Sequence, residues 1–327
     1  MRKEYADLLD PYFRNVPFPE ITGEKPLISI LTAYYNHAPF LRDYLDSVIG
    51  QAYENWELLL VDNASTQGDA AAIVREYDDP RITYRRLENN SGGAIARTAA
   101  FRMSHGEFIA CFDADDIMHP WYLQAMTAEM LSPSSPDIVN SYLRCFGSDT
   151  SLWKRSVRTE RDLTLEHWIG GTSLAKRYLW EATGGQSSAS ELRYGSQDWE
   201  FWLHCYEKCG PLKVAVVPLP LFLYRRNVSS LSLGSIPHEY AIRKRILTDH
   251  PAIFAKHGTG EHFLAKGYGI SIGALFKQKQ LLQALKVFCE GLRTLPSRLY
   301  LSVVFYTVLA DLRDLYGERI KPFFRHA

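Results

Sequence analysis

The chain has 327 residues, of which 46% are hydrophobic and 23% are charged, so it can bury a sizeable core and suits either one large domain or one domain plus a small appendage. The 37 Lys and Arg residues balance the 37 Asp and Glu residues, which argues against a global basic surface for nucleic acid. Five scattered cysteines favour a reducing compartment over a disulfide framework. We expect neither a secretory signal nor a spanning helix, since no suitable apolar run occurs.

Short apolar runs alternate with helical spacing from residue 26 onward, after a proline-interrupted N-terminal arm at 1–25. Helices are predicted in the three segments between the strands, at 39–53, 68–79 and 92–106. Strands are predicted in PLISILTAYYN (26–36), WELLLVDNAST (56–66), RITYRRLENN (81–90) and EFIACFDADD (107–116). This alternation predicts an α/β fold, with a mainly parallel sheet covered by helices on both faces.

Polar side chains follow three of the predicted strands. Tyr35 and Asn36 follow the first, Asp62 and Asn63 the second, and the acidic run Asp113–Asp116 the fourth. In open α/β sheets, ligands bind beyond the carboxyl ends of the strands. One polar ending carries no information, because strands commonly end in polar residues, but three on one edge indicate a site.

The pattern is less regular from 120 to about 235, where a helix is predicted at 196–210. After Pro237 the chain becomes helical. We therefore predict a domain at 26–236, divided into a nucleotide-binding half (26–118) and an acceptor half (119–236), followed by a C-terminal helical region at 237–327.

Asp113 and Asp115 place two carboxylates two positions apart at a strand end. Mg²⁺ typically uses one or two carboxylates together with substrate phosphates. The sequence contains neither a P-loop motif nor a G-x-G-x-x-G after the first strand, so we expect a metal that holds the diphosphate of a nucleotide-linked donor. Taken alone, D-x-D is a weak signal, since surface turns often produce it.

Four ordered segments resemble the family 2 inverting glycosyltransferases with the GT-A fold. They are SILTAYYNHAPFLRDYLDSVIGQAYENWELLLVDNAST, NNSGGAIAR, GEFIACFDADD and QDWEFWL, and the resemblance covers roughly residues 26–235. It implies a metal-dependent transferase that moves a sugar from a nucleoside diphosphate to a hydroxyl group and inverts the anomeric configuration. The implied cofactor is Mn²⁺ or Mg²⁺.

The resemblance also implies roles for single residues. Asp115, with Asp113, would bind the metal, and Asp62 would accept a hydrogen bond from the base of the nucleotide. The remaining donor contacts would come from the end of the first strand, the glycine-opened helix, the D-x-D turn and a later loop: Ala33, Tyr35, Arg97, Asp113, Ala114 and Arg225.

Asp198, in QDWEFWL, matches the family's catalytic carboxylate, which would take the proton from the attacking acceptor hydroxyl. We predict that its pKa is raised, because Trp199 and Trp202 could surround it with apolar groups. Trp199, Gly171 and Thr172 are candidate walls of the acceptor pocket.

Three positions depart from the family pattern. Ala33 and Thr98 stand where relatives often have Pro and Asn. Asn227 stands where many have a His that contacts metal or diphosphate, so its part in metal binding is left open. Arg225, Arg226, Ser229 and Ser230 could grip the diphosphate instead. Asp116 has no assigned role.

The predicted function is synthesis of a polysaccharide or cell-envelope glycan in the cytoplasm, with a saccharide or lipid-linked saccharide as acceptor. UDP is favoured because Asp62 suits a uracil-type edge, and dTDP offers the same edge. A nucleotidyltransferase of the same fold and a catalytically silent sugar-nucleotide or glycan-binding module are the alternatives. Residues 296–327 would either pack on the protein, which we favour, or contact the inner face of the membrane.

Overall fold

The computed structural model describes residues 2–226, 234–295 and 298–316, with side chains up to residue 308. These residues form two compact units. The first contains 2–163, 167–188 and 197–226, and the second contains 164–166, 189–196 and the described residues from 234 onward. Asn227, Ser229 and Ser230 lie outside the described residues.

The first unit is built on a sheet with the strand order β3-β2-β1-β4-β8-β6-β9-β5, and β7 pairs with β6. The pairs β1–β2, β1–β4, β2–β3 and β6–β9 are parallel. The strands are β1 (Ile28–Tyr34), β2 (Trp56–Asp62), β3 (Ile82–Arg86), β4 (Phe108–Asp113), β5 (Ile117–Met118), β6 (Ile138–Gly147), β7 (Leu152–Trp153), β8 (Leu174–Lys176) and β9 (Val214–Arg226). The predicted α/β fold, with a mostly parallel sheet, is confirmed.

Helices alternate with the first four strands, as the hydrophobic spacing predicts. Asp69 caps the second of these connecting helices by accepting a hydrogen bond from the backbone N–H of Ala72 at 2.9 Å. The helices of the first unit are α1 (Lys3–Leu9), α2 (Ala38–Ile49), α3 (Ala70–Arg75), α4 (Gly93–Met103), α5 (Tyr122–Met130), α6 (Glu160–Leu163), α7 (Arg177–Thr183) and α8 (Gln197–Cys209).

The N-terminal arm packs onto the first unit and joins its hydrophobic core. Tyr5, Leu9 and Phe13 are buried in the same cluster as the central strands. The Tyr5 hydroxyl donates to Asp43 Oδ2 at 2.7 Å, and the Phe13 ring stacks on His119 with centroids 3.8 Å apart. His119, which follows the acidic run in the sequence, is therefore a packing residue.

The second unit is helical, as predicted for the C-terminal region. Leu264, Tyr268, Ile272, Leu275 and Tyr300 form the centre of its core. The helices are α9 (Glu239–Asp249), α10 (Pro251–His257), α11 (Gly260–Lys277), α12 (Leu281–Thr294) and α13 (Arg298–Tyr316). Within the part of the chain that the structure describes, no helix combines the length and the apolar character needed to cross a membrane.

Candidate active site

The three polar strand endings predicted from the sequence meet at one edge of the sheet. β1 lies between β2 and β4, and all three strands run in the same direction. In this register Tyr34 stands opposite Asp62, and Ala33 stands opposite Asp113. Backbone pairing therefore places the predicted base-binding carboxylate and the D-x-D turn on either side of one strand.

Asp62 is held by a hydrogen-bond network at the end of β2. Its Oδ1 accepts from the backbone N–H of Ser65 at 2.8 Å, and its Oδ2 accepts from the Tyr84 hydroxyl and from Arg86 Nη1, both at 2.8 Å. Only 1% of Asp62 is exposed. Burial, and then the bond to Asp62, raise the pKa of Tyr84 to about 12. Arg86, in contrast to the buried Asp62, is exposed to solvent. The sequence gives no signal that assigns Arg86 to the site.

Asparagines fix the neighbouring loops. Asn36 adopts a left-handed backbone conformation with φ 58°, and its Oδ1 accepts from the backbone N–H groups of Thr66 and Gln67 at 2.8 and 3.0 Å. Asn63 Nδ2 donates to Asn90 Oδ1 at 2.8 Å. Tyr35 remains 39% exposed, so its side chain is accessible to a ligand.

The D-x-D turn presents two carboxylates of different character. Asp113 is 47% exposed and accepts a hydrogen bond from Arg97, whereas Asp115 is mostly buried, with His37 Nδ1 3.8 Å from its Oδ1. Burial raises the pKa of Asp115, the neighbouring Asp113 raises it further, and His37 opposes both. Ala114 between them is fully buried.

Asp116 and Arg225 form the support of this turn. Asp116 Oδ1 accepts from the backbone N–H of Arg225 at 2.9 Å, and Arg225 Nε donates to the backbone carbonyl of Asp115 at 2.8 Å. The Arg225 guanidinium lies between the rings of Phe40 and Phe146, 4.2 and 4.4 Å from their centroids. Arg225 therefore stabilises the D-x-D turn through its backbone and its guanidinium. Because the guanidinium is engaged in these contacts, the structure does not support the predicted contact between the Arg225 side chain and the diphosphate.

The donors at the turn suit a cation that also binds a diphosphate. No cluster of three or more His, Cys, Asp or Glu side chains that could hold a metal occurs among the described residues, so no closed metal cage exists there. Asp115 and Asp113 supply hard oxygen atoms. Burial and, next, the charge of Asp113 raise the pKa of Asp115, and a cation bound here would offset both effects. Two carboxylates plus phosphate oxygens match the coordination habits of Mg²⁺. The residues present thus fit the implied metal.

Arg97, in α4, connects the D-x-D turn with the start of α8. Its Nη2 donates to Asp113, and its Nη1 donates to Gln197 Oε1 at 3.1 Å and to Gln186 Oε1 at 3.4 Å. Gln197 directly precedes the predicted base, Asp198. One guanidinium thus bridges the D-x-D turn and the helix that carries Asp198.

Asp198 lies in the first turn of α8, beside a histidine that the sequence analysis did not single out. His167 Nε2 is 3.2 Å from Asp198 Oδ2, and the backbone N–H of Trp199 donates to Oδ1 at 3.1 Å. Burial raises the pKa of Asp198, but His167 first and then Arg97 outweigh it, and the pKa falls to about 2. The predicted raised pKa is therefore wrong, because the apolar surround was considered without His167 and Arg97.

The three residues predicted to line the acceptor pocket, Gly171, Thr172 and Trp199, differ in exposure and in their contacts. A Cβ atom at Gly171 would lie 2.7 Å from Asp198 Oδ2, so the bare backbone borders the carboxylate. Thr172 is partly exposed, and its carbonyl accepts from the Tyr122 hydroxyl. Only 3% of Trp199 is exposed, and its ring stacks on His167 with centroids 5.6 Å apart. The structure does not support an acceptor wall at Trp199, which instead supports His167.

A family model described as "Glycosyl transferase family 2" matches residues 29–190. The Bacillus subtilis (strain 168) protein named "Putative teichuronic acid biosynthesis glycosyltransferase TuaG" is 39% identical over 98 residues, which are 29% of this chain and 38% of that protein. The match therefore spans well under half the length of that relative.

Solved structures share the fold at low sequence identity. Staphylococcus aureus TarS 1–349 in complex with UDP-GlcNAc aligns with a TM-score of 0.64 and 14% identity, over 90% of this chain and 92% of that one. The mannosyltransferase PcManGT of Pyrobaculum calidifontis, in complex with GDP-Man and Mn²⁺, aligns with a TM-score of 0.56 and 19% identity, over 95% of both chains. Residues 29–190 of the chain are thus identified as a glycosyl transferase family 2 region, and the chain shares its fold with these two solved structures.

Proposed function

We propose that this protein is a metal-dependent inverting glycosyltransferase that moves a sugar from a nucleoside diphosphate to an acceptor hydroxyl. The observation that carries the proposal is the bridge made by Arg97 between Asp113 and Gln197. It joins the D-x-D turn to Gln197, the residue directly before the carboxylate that would act as base. A silent binding module of the same fold, the alternative, has no need of such a connection.

Asp198 would remove the acceptor proton as the oxygen attacks the anomeric carbon in a single displacement. A pKa of about 2 keeps the carboxylate ionised at neutral pH, so it is ready to accept a proton. His167 would orient the carboxylate through the contact at 3.2 Å, and the buried Trp199 ring would fix the plane of that histidine. His167 is thus a positioning residue for the base.

Asp115 and Asp113 would hold Mn²⁺ or Mg²⁺. When bound, such a cation neutralises negative charge on the departing nucleoside diphosphate. Asp62 and Tyr84, with the exposed Arg86, would form the pocket for the nucleotide base, and Tyr35 and Ala33 would line the ribose side. UDP is the favoured nucleotide, with dTDP as the second choice; the structural relatives carry UDP-GlcNAc in one case and GDP-Man in another.

The acceptor would be a hydroxyl of a glycan or of a lipid-linked saccharide, in cell-envelope polysaccharide synthesis. The name of TuaG, a teichuronic acid biosynthesis glycosyltransferase, supports this class. We place the reaction in the cytoplasm or at the inner face of the membrane. The five cysteines, which are all free, fit a reducing compartment.

The proposal is tested with a panel of nucleotide sugars, each with Mn²⁺, with Mg²⁺ and with EDTA. Stabilisation against thermal unfolding grows with ligand concentration relative to Kd, so the donor should give the largest shift, and only with metal. Nuclear magnetic resonance of the product would then report an inverted anomeric configuration. Retention of configuration would contradict the mechanism, and an equal thermal shift in EDTA would contradict metal dependence.

A further inference from the structure

The second unit carries an open apolar groove between α11, α12 and α13. The groove has a volume of about 820 Å³, and Ile272, Phe276, Phe288 and Phe305 are among the residues that line it. Large apolar side chains around it point to solvent: Leu282 is 79% exposed, Tyr306 71%, and Leu281, Leu285 and Phe305 between 58% and 59%. Contiguous exposed apolar surface of this kind indicates a site of interaction.

α12 has two apolar faces, and only one of them packs inside the second unit. Ala284 and Val287 belong to the core of that unit. Leu281 and Leu285, four positions apart, and Leu282 lie on the outward side. An ordinary surface helix has a single apolar stripe. The outward leucines therefore indicate that this face contacts an apolar surface outside the second unit.

Basic residues are frequent in the segment that contains this outward face. Residues 276–308 contain one acidic side chain, Glu290, which pairs with Lys244 at 3.0 Å. Lys286 lies four positions after Leu282, so it shares the same side of α12. The same segment contains five cations: Lys277, Lys279, Lys286, Arg293 and Arg298.

We propose that this face, formed by Leu281, Leu282, Leu285, Phe305 and Tyr306 with the basic residues of the same segment, docks on the anionic surface of a lipid bilayer. The leucines and the phenylalanine enter the boundary between headgroups and acyl chains, and Tyr306 keeps its hydroxyl in the headgroup layer. Lysine and arginine extend their charged ends to lipid phosphates while their stems cover apolar surface.

A second copy of the chain is a poorer occupant than a bilayer. A two-fold symmetric dimer would press this face against itself. The five cations of residues 276–308 would then lie near those of the other copy, and the one acidic side chain of that segment, Glu290, already pairs with Lys244. The proposed contact includes Leu281, Leu282 and Leu285 of α12, so it extends beyond the segment 296–327 named above as a candidate membrane contact. It does not depend on the proposed transferase activity.

The test is flotation of the full chain with vesicles of phosphatidylglycerol and phosphatidylcholine, and with vesicles of phosphatidylcholine alone. We expect flotation with the anionic vesicles, loss of flotation at high salt, and a fall of about tenfold or more in the partition coefficient for Leu282→Glu. Lys286→Glu should weaken binding to anionic vesicles only. Leu131→Glu, at an exposed leucine of the first unit, is the matched control and should bind like the unmodified protein.

Three results would overturn the proposal. The first is no flotation with anionic vesicles at low salt. The second is equal flotation of the Leu282→Glu and Leu131→Glu variants. The third is a dimer in light scattering that Leu282→Glu dissociates, with no vesicle binding by either form. Both leucines are exposed, so thermal unfolding should show that each variant folds.

Discussion

The strand-end region of the first unit and the outward face of α12 and α13 differ in whether their side chains have partners within the chain. At the strand ends, Asp62 pairs with Arg86 and Asp113 with Arg97, and at the start of α8 Asp198 pairs with His167. On α12 and the part of α13 whose side chains the structure describes, large apolar side chains such as Leu282 and Tyr306 are mostly exposed. The first region is thus arranged in advance for a small charged ligand, while the second requires a surface from outside the chain.

The largest expected effect comes from removing the base. Asp198→Asn keeps the size of the side chain but cannot accept the acceptor proton, so kcat should fall by about 10²–10⁴-fold. Binding of the nucleotide sugar with metal should change little, since that ligand meets the D-x-D turn. Transfer assays and calorimetric titration measure the two quantities. Glu54→Gln, which alters an exposed carboxylate outside the site, is the control. Near-normal transfer by Asp198→Asn would show that Asp198 is not the base.

Breaking the bridge between the two halves of the site should have the next largest effect. Arg97→Met leaves Asp113 and Gln197 without their shared donor, and we expect kcat/KM to fall by about 10²-fold, because both the turn and α8 lose their alignment. Steady-state kinetics at several metal concentrations would measure it. Arg102→Met, an exposed arginine on the same helix, should behave like the unmodified protein. Equal kinetics for the two variants would show that the bridge has no function.

His167→Gln should change the pH dependence rather than abolish activity. Asp198 has a lowered pKa of about 2, so its ionised form stabilises the fold above the ordinary value of about 4, and that contribution is lost as the pH falls through about 2. Without His167, burial pushes the pKa upward. The fall of kcat at low pH and the fall of the free energy of unfolding at low pH should therefore both begin at a higher pH in the variant.

The pH–rate profile and denaturant unfolding between pH 2 and 7 would measure the acidic limb of each curve. His105→Gln, which removes another histidine 3.3 Å from a carboxylate, Glu57, but lies outside the site, is the matched control for the kcat limb. An unmoved kcat limb in His167→Gln would refute the positioning role.

The smallest expected effect concerns the outward face. Leu282→Ala should change the free energy of unfolding by less than about 0.5 kcal/mol, since its side chain is 79% exposed. Leu275→Ala, in the core of the same unit, should cost about 2–5 kcal/mol. Urea denaturation compares them. A loss above about 1 kcal/mol for Leu282→Ala would mean that the protein itself covers this face.

The sheet, its strand ends and the acidic turn could be predicted because they depend on local patterns. Apolar runs mark the buried strands, and Asp113, Asp115 and Asp198 stand in ordered motifs. His167 could not be found this way, because no spacing in LEHWIGG relates it to Asp198, 31 positions later (198 − 167), and only tertiary packing brings them together. The wrong sign for the Asp198 pKa has the same origin.

Two further differences follow from packing that periodicity does not encode. The sequence assigns no role to Asp116. In the structure, Asp116 accepts a hydrogen bond from the backbone N–H of Arg225, which lies on β9, far away in the sequence. The leucines of α12 look like an ordinary buried stripe in the sequence, but the core of the second unit uses Ala284 and Val287 instead. Such outcomes depend on which helix face meets a neighbour.

Gly171 has a consequence for how the base can be inactivated. Because a methyl group at this position would sit 2.7 Å from Asp198 Oδ2, alanine would push the carboxylate away from its place beside His167. Every functional group of the protein would survive the change. Gly171→Ala would therefore give an enzyme that is chemically complete yet sterically obstructed, a form suited to trapping donor and acceptor together before transfer.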